Sequence, residues 1–410
     1  MNLHERLREA AVTHAAMCRQ QRVQPAFGAF QKIYPPTYAS REEEGPPEHC
    51  FERRLVAEGE EVTCCLLDST PSQANRFEDA LLESERAGVI QLPYIVVDYS
   101  GTGLEPRIIT SLGAPHRLYD GIIRDSELDG VPFPKSVVGQ RLYAADATNA
   151  TALVEIDPTV LVFGGWDAKG IGKSRAQIQR ILSSEIVAFE VPVDVLDEGR
   201  AGVAPRVQTT TRRTKSRRCP VGISKKAQVW RTPSGAWHTT KQAAGEGAEL
   251  VKPSEIGHGS ITPDVQALGA TMKYGLQTVG ISFGGLRRLQ FGGDARNRAA
   301  RTYLAALALF AVLEQDWQGF SLRSGCDLVL EEPAPWEFVR PNGQRESVEI
   351  NRDQALDAYA TALADLGRQG FQMVLEGLRL LPQAKLVTIE LQSRDPEFVM
   401  EDASSAKGRQ

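Results

Sequence analysis

The chain has 410 residues, of which 42% are hydrophobic and 24% charged, with 47 basic and 52 acidic side chains. A chain of that length can bury a full core without disulfides or a structural metal, and its composition excludes the disordered, collagenous and fibrous classes. Six scattered cysteines with no Cys-x-x-Cys pair exclude a zinc knuckle or dithiol motif. The N-terminal residues lack a secretory apolar stretch, and the longest greasy run, residues 303–313, is too short to span a bilayer, so a cytoplasmic protein without a membrane partner is expected.

Leu3, Leu7, Ala10, Ala11, His14 and Cys18 fall at helical spacing and predict an amphipathic helix over residues 3–20. Prolines and the Glu42-Glu43-Glu44 run then suggest an extended arm to residue 47. The continuously apolar Val62-Thr63-Cys64-Cys65-Leu66-Leu67 has strand length. It is followed by a helix start in which Thr70 is the N-cap, Pro71 the first helical residue and Gln73 the partner in a capping box. Gly88 ends that helix, and residues 92–97 read as the next strand, completing a β-α-β unit. A second such unit is expected from a strand at 160–163, a glycine loop, a helix at 175–182 and a strand at 186–191.

Charge then becomes segregated. Residues 199–245 carry eleven Lys or Arg and no Asp or Glu, leaving 36 basic against 52 acidic residues elsewhere. The run peaks in Thr211-Arg212-Arg213-Thr214-Lys215-Ser216-Arg217-Arg218, and its Gly, Pro and Thr content argues for a long insertion or β-ribbon. Concentrated positive charge of this kind attracts a polyanion. Beyond it come a glycine-rich stretch at 275–293, a buried helix at 298–314, and strands near 320–330 and 336–339. A long helix from Asp353, a strand at 385–391 and a polar tail from Gln392 complete the chain. Strands and helices that alternate without a strict βαβ series favour an α+β sandwich.

Three turns offer phosphate-binding chemistry. The segment Gly164 to Ser174 ends in Gly172-Lys173-Ser174, but a P-loop needs glycine where Asp167 stands, so a nucleotide triphosphatase is a rival reading only. Lys173 and Arg175 would open a helix whose free amides suit a phosphate. At the second turn, Ser72, Asn75 and Arg76 follow a strand, with Asn75 and Arg76 off the buried face. In the third, Gly284 and Gly285 permit close approach, Arg287 and Arg288 bind phosphate, and Phe283 or Phe291 would stack a base unless packed in the core. His258 has no nucleophile elbow beside it and the six histidines show no ligand spacing. No catalytic residue, metal or cofactor is therefore expected.

The segments Leu66 to Arg76, Phe163-Gly164-Gly165-Trp166-Asp167, Ser184-Glu185-Ile186 and Leu322-Arg323-Ser324-Gly325-Cys326-Asp327-Leu328 together resemble one family. It is the RAMP-superfamily CRISPR backbone subunit of type I-G (formerly I-U) Cascade complexes, and the resemblance runs from about residue 62 to about residue 330. The resemblance implies a core similar to an RNA-recognition motif (ferredoxin-like), with large insertions including a thumb-like segment. It also implies head-to-tail polymerisation along a CRISPR RNA held by its backbone, with base pairing reading the target DNA strand. Such subunits are scaffolds and not enzymes. Type III relatives cut RNA with an acidic loop residue, a second rival reading for which Asp68 or Asp167 would be singled out.

The resulting expectation is an N-terminal helix and arm (1–50), an α+β core (51–391) with a basic thumb-like insertion (199–245), and a polar tail (392–410). Ser72, Asn75, Arg76, Trp166, Lys173, Arg175, Arg212, Arg213, Lys215, Arg217, Arg218, Gly284, Gly285, Arg287 and Arg288 are the expected RNA contacts. The expected partners are CRISPR RNA, target DNA through the guide, further copies of the chain and other Cascade subunits.

Overall fold

The computed structural model describes residues 1–39, 48–104, 108–167, 177–192, 227–256, 258 and 269–393. It mixes helix and strand in an α+β arrangement. Among the described residues no helix is long and apolar enough to cross a membrane. Two compact units are present, one holding the described residues up to 192 and from 269 onward, the other the described residues between 227 and 258.

The larger unit is built on nine strands: β1 (Ala16–Pro25), β2 (Phe51–Ala57), β3 (Glu60–Asp68), β4 (Leu182–Phe189), β5 (Tyr274–Ser282), β6 (Phe320–Arg323), β7 (Cys326–Leu330), β8 (Trp336–Val339) and β9 (Arg345–Val348). Their order is β6-β7-β1-β5-β4-β3-β2, with every pairing antiparallel. β1 is long enough to pair twice along one edge, with β7 at Val23–Pro25 and with β8 at Ala16–Cys18, and β9 extends from β8. Inward positions alternate along β5, where Gly275, Gln277, Val279 and Ile281 are buried and Leu276, Thr278 and Gly280 are not fully so. This is the period-two pattern of a sheet with one covered face.

Helices α1 (Leu3–Thr13), α2 (Thr70–Arg86), α3 (Phe283–Arg288), α4 (Asp294–Gln318) and α5 (Arg352–Arg368) supply the other layer. α4 is its centre. Every residue from Thr302 to Gln315 is buried, because α1, α2 and α5 all pack on it. The chain visits β1, α2, β4, β5, α4 and β7 in that order, while the same strands lie side by side as β7-β1-β5-β4.

Between the sheet and the helices runs a buried polar seam. Arg19 donates to both carboxylate oxygens of Asp316 at 2.5 and 3.0 Å and to Gln277 at 3.0 Å. Gln277 and Ser184 both donate to the Gln73 side-chain oxygen, at 3.0 and 2.9 Å, and Gln73 Nε2 donates to Asp68 at 2.6 Å. Each of these side chains has at least one partner that offsets its desolvation, although Arg19 Nε itself is left without one. This seam overturns the expected capping box: Gln73 faces inward, and Ser69, which makes no side-chain cap bond, holds the N-cap position ahead of Pro71.

Other expectations are corrected similarly. The N-terminal helix ends at Thr13, and Cys18 lies on β1 within the main sheet, so residues 16–25 are an integral strand. The apolar run at 159–163 is the helix Thr159–Phe163, buried on all sides; a short apolar run carries no period that separates the two states. The described part of the expected helix at 175–182 is extended, with Gln177–Ile178 a strand and Leu182 opening β4. Residues Ile95–Asp98 do form a strand, but in a separate five-stranded sheet beside Ile108–Thr110 and Leu378–Pro382, so neither expected β-α-β unit exists. Ala384–Ser393 is a helix where a strand was expected.

In the second unit, Val229–Arg231 pairs on one side with Trp237–His238 and on the other with Glu249–Val251, all antiparallel. Arg231 lies 5.9 Å from the Trp237 ring centre and Lys241 lies 5.6 Å from that of Trp230, so cations here stack on aromatic faces.

Candidate nucleic-acid interface

The Phe163-Gly164-Gly165-Trp166-Asp167 segment makes its turn through two glycines with physical reasons to be there. Gly164 has φ of +86°, and a Cβ at Gly165 would lie 2.4 Å from Val160 Cγ2 and 3.0 Å from the Tyr119 ring. The turn delivers Trp166 into a two-strand ribbon opposite Gln177, where the indole is 62% exposed. Asp167, by contrast, is buried. Arg117 braces the turn from behind: it binds the buried Glu78 through two bonds of 2.6 and 2.7 Å and donates to the Gly164 carbonyl at 3.3 Å. Burial pushes Glu78 up to about 7, with Arg117 opposing the rise.

The strand after the ribbon partner brings a second cation to this place. Arg288, exposed at the end of α3, donates to Gln179 at 3.0 Å, two residues beyond the partner of Trp166. Between them Arg180 is half-buried with no acidic partner among the described residues; its pKa is lowered, first by burial and then by Arg117. Trp166, Arg180 and Arg288 therefore gather an exposed aromatic face and two cations around the segment 177–181. Sequence reasoning missed Arg180, because a helix was expected there.

The remaining expected contacts divide by environment. Asn75 is exposed and Ser72 half-buried on the first turns of α2. Arg76 is engaged within the fold, its Nε 2.8 Å from Asp68 and its two terminal nitrogens donating to the carbonyls of Ser321 and Leu322 at 3.2 and 2.5 Å. Arg287 donates to the His14 carbonyl at 2.6 Å and to that of Ala11 at 3.4 Å, capping the end of α1. Gly284 and Gly285 lie in the first turn of α3 and not in an open loop, with Ser282 Oγ accepting from the Gly285 amide at 3.0 Å. A Cβ at Gly285 would meet Ser282 Oγ at 3.3 Å and Ile181 at 3.4 Å, so the close approach there is to the protein's own chain. Phe283 and Phe291 are buried core residues. Lys173, Arg175, Arg212, Arg213, Lys215, Arg217 and Arg218 lie outside the described residues.

A further group was not singled out from the sequence. On the sheet face away from the polar seam, Arg22 lies 4.4 Å from the ring centre of Tyr274, which stacks on Phe189 at 5.3 Å with the planes 2° apart. These residues come from β1, β5 and β4 and meet only through the sheet register, which no local pattern reveals.

Residues 17–193 match the family described as CRISPR-associated protein GSU0053. The match supports a CRISPR-associated protein. It covers β1 to β4, α2 and the Gly164 turn with Trp166 and Arg180, while Arg288 and Tyr274 lie beyond it. No curated protein matches the chain. Groups of three or more His, Cys, Asp or Glu placed to hold a metal ion are absent among the described residues.

Proposed function

We propose that the chain is a non-catalytic, RNA-binding backbone subunit of a type I CRISPR surveillance complex, of the RAMP kind. It coats the guide spacer in the cytoplasm and polymerises head to tail along it, beside other Cascade subunits. The guide reads target DNA by pairing, and the protein holds the guide by its backbone.

The observation that carries this reading is topological. The β1-α2-β4-β5-α4-β7 path with strand order β7-β1-β5-β4, β2 and β3 being additions between β1 and α2, is the order a ferredoxin-like, RNA-recognition-motif core would have, and this supports the reading. The basic segment is inserted between β4 and β5, its second and third strands. Charge separation favours the same reading: eleven cations without an acid in residues 199–245 suit a polyanion laid along the protein. Trp166, Arg180 and Arg288 provide a second contact, in which Trp166 stacks a base and the two cations hold phosphates.

Purification with endogenous nucleic acid tests the reading: a discrete guide-length RNA is expected, and random fragments or none would overturn it. Each phosphate neutralised on a single strand adds about 0.7 to the log–log salt slope. Changing Arg212, Arg213, Arg217 and Arg218 together to Ala should flatten that slope by roughly 3, and an unchanged slope would remove the insertion from the binding surface.

A further inference from the structure

The segment that follows β1 exposes two aromatic rings that the fold does not use. Phe27 is 77% exposed and Phe30 76% exposed, in a turn running from the end of β1 to a bridge between Ile33 and Ala270. Phe30 has φ of +63°, a left-handed conformation that a bulky residue enters only at a cost. A strained, exposed aromatic side chain is a poor choice for folding, which points to another use.

The turn is nevertheless firmly braced. The Gly28 amide donates to the Pro25 carbonyl at 3.2 Å, Gln31 to Gly28 at 3.2 Å and Tyr34 to Gly325 at 3.0 Å. The Tyr34 ring seats on Gly325, where an added Cβ would come within 2.8 Å of it. Arg323 donates to the Pro35 carbonyl at 3.0 Å, and the Lys32 ammonium lies 5.6 Å from the Tyr34 ring centre. The β6-β7 hairpin, with its Ser324-Gly325-Cys326 turn, thus serves as the rest against which residues 26–35 are held.

We propose that this turn is a base-stacking platform for a single-stranded nucleic acid. Phe27 and Phe30 each offer a ring to a base, and Lys32, two residues beyond Phe30, is the cation of this segment for a phosphate, while Arg323 is engaged by the Pro35 carbonyl. Every base has a π face, so such a platform is tolerant of sequence, as a guide-holding protein requires. Local charge favours this occupant over a second copy: residues 26–35 carry Lys32 and no acidic side chain. The residues between the rings, Gly28 and Ala29, give no broad apolar surface of the sort a protein interface buries. The proposal rests on the reading of the chain as an RNA-binding protein.

The test uses the full chain and a short single-stranded RNA of mixed sequence carrying 2-aminopurine, with affinity followed by fluorescence across a salt series. Phe27→Ala and Phe30→Ala are each expected to weaken binding roughly tenfold while the salt slope stays unchanged, since stacking is lost and no phosphate contact is. Phe30→Tyr should retain affinity. Phe30→Gly supplies a control for folding: glycine adopts this backbone without strain, so the variant should melt no lower than the parent and still bind more weakly. If the parent binds RNA and these variants bind it equally well, the platform is overturned alone. Variants that disperse an oligomer yet keep their affinity for the RNA would assign the rings to a neighbouring copy, which also overturns it. A parent that binds no RNA removes both this proposal and the reading beneath it.

Discussion

Replacing Arg117 by Met removes the guanidinium that binds Glu78 at 2.6 and 2.7 Å and reaches the Gly164 carbonyl. The carboxylate left behind is 1% exposed, so the variant must either keep an uncompensated buried charge or protonate it. Breaking a buried pair from one side costs about 3–5 kcal/mol when the survivor stays charged. Burial already raises Glu78 from 4.5 to about 7 with Arg117 in place, and removing the cation moves it further upward. A carboxyl whose folded pKa is raised contributes stability that is present below its unfolded pKa and lost as pH rises through the folded one. Arg117→Met is therefore expected to lose about 1–2 kcal/mol near pH 5, where a neutral carboxyl lacks only its hydrogen bonds, and up to about 1.4 kcal/mol more near pH 8, one unit above the parent's folded value. Urea unfolding followed by circular dichroism at both pH values measures the two losses. Equal losses, or no recovery near pH 8 in the Glu78→Leu, Arg117→Met double variant, would refute the reasoning.

His49 accepts from the Gly269 amide at 2.8 Å through Nε2 and donates through Nδ1 to the Pro36 carbonyl at 3.1 Å, so it serves as the neutral ring. Its pKa is lowered chiefly by burial, with Arg323 and Lys32 adding to the effect and the Pro36 bond opposing it. Its contribution to stability should be complete above the ordinary histidine value near 6.5 and decline as pH falls below that value, a dependence that His49→Gln should flatten in melting curves. Gly325→Ala, at φ of +77° and with Tyr34 in the way, should cost about 1–3 kcal/mol by denaturant unfolding; a cost near zero would show that Tyr34 moves aside freely. Arg287→Ala should destabilise by about 1–2 kcal/mol, since it strips a charged donor from the end of α1, and leave the salt slope of RNA binding unchanged.

Legibility from sequence tracked how far each residue's surroundings were local. α2 declares itself because its apolar positions repeat at helical spacing, and β3 and α4 because near-continuous apolar runs of strand and helix length mark them. β1 does not, because two of its inward positions are Arg19 and Gln21. Their polarity is compensated by Asp316 and Gln277 for the one and by backbone groups of Glu332 and Ala334 for the other, all distant in sequence. Trp166 and Arg288 were recognisable as candidates from their own motifs, whereas Arg180 and the Arg22, Tyr274 and Phe189 stack emerge only once strands are set in register. Conversely, Arg76 and Arg287 look like phosphate ligands in sequence because carbonyl partners leave no signature there.

Phe189 and Tyr274 sit opposite each other in the β4-β5 register with their rings stacked, so the residues numbered 190 to 273 leave and re-enter the sheet at one doorstep. Such a junction is indifferent to what hangs from it: the hairpin closes by its own ladder whether the intervening stretch is long, short or exchanged for a tight turn. Under the proposed reading, grip on a nucleic acid is thereby free to diversify by lengthening or recharging that stretch, while the strands that position it need not change.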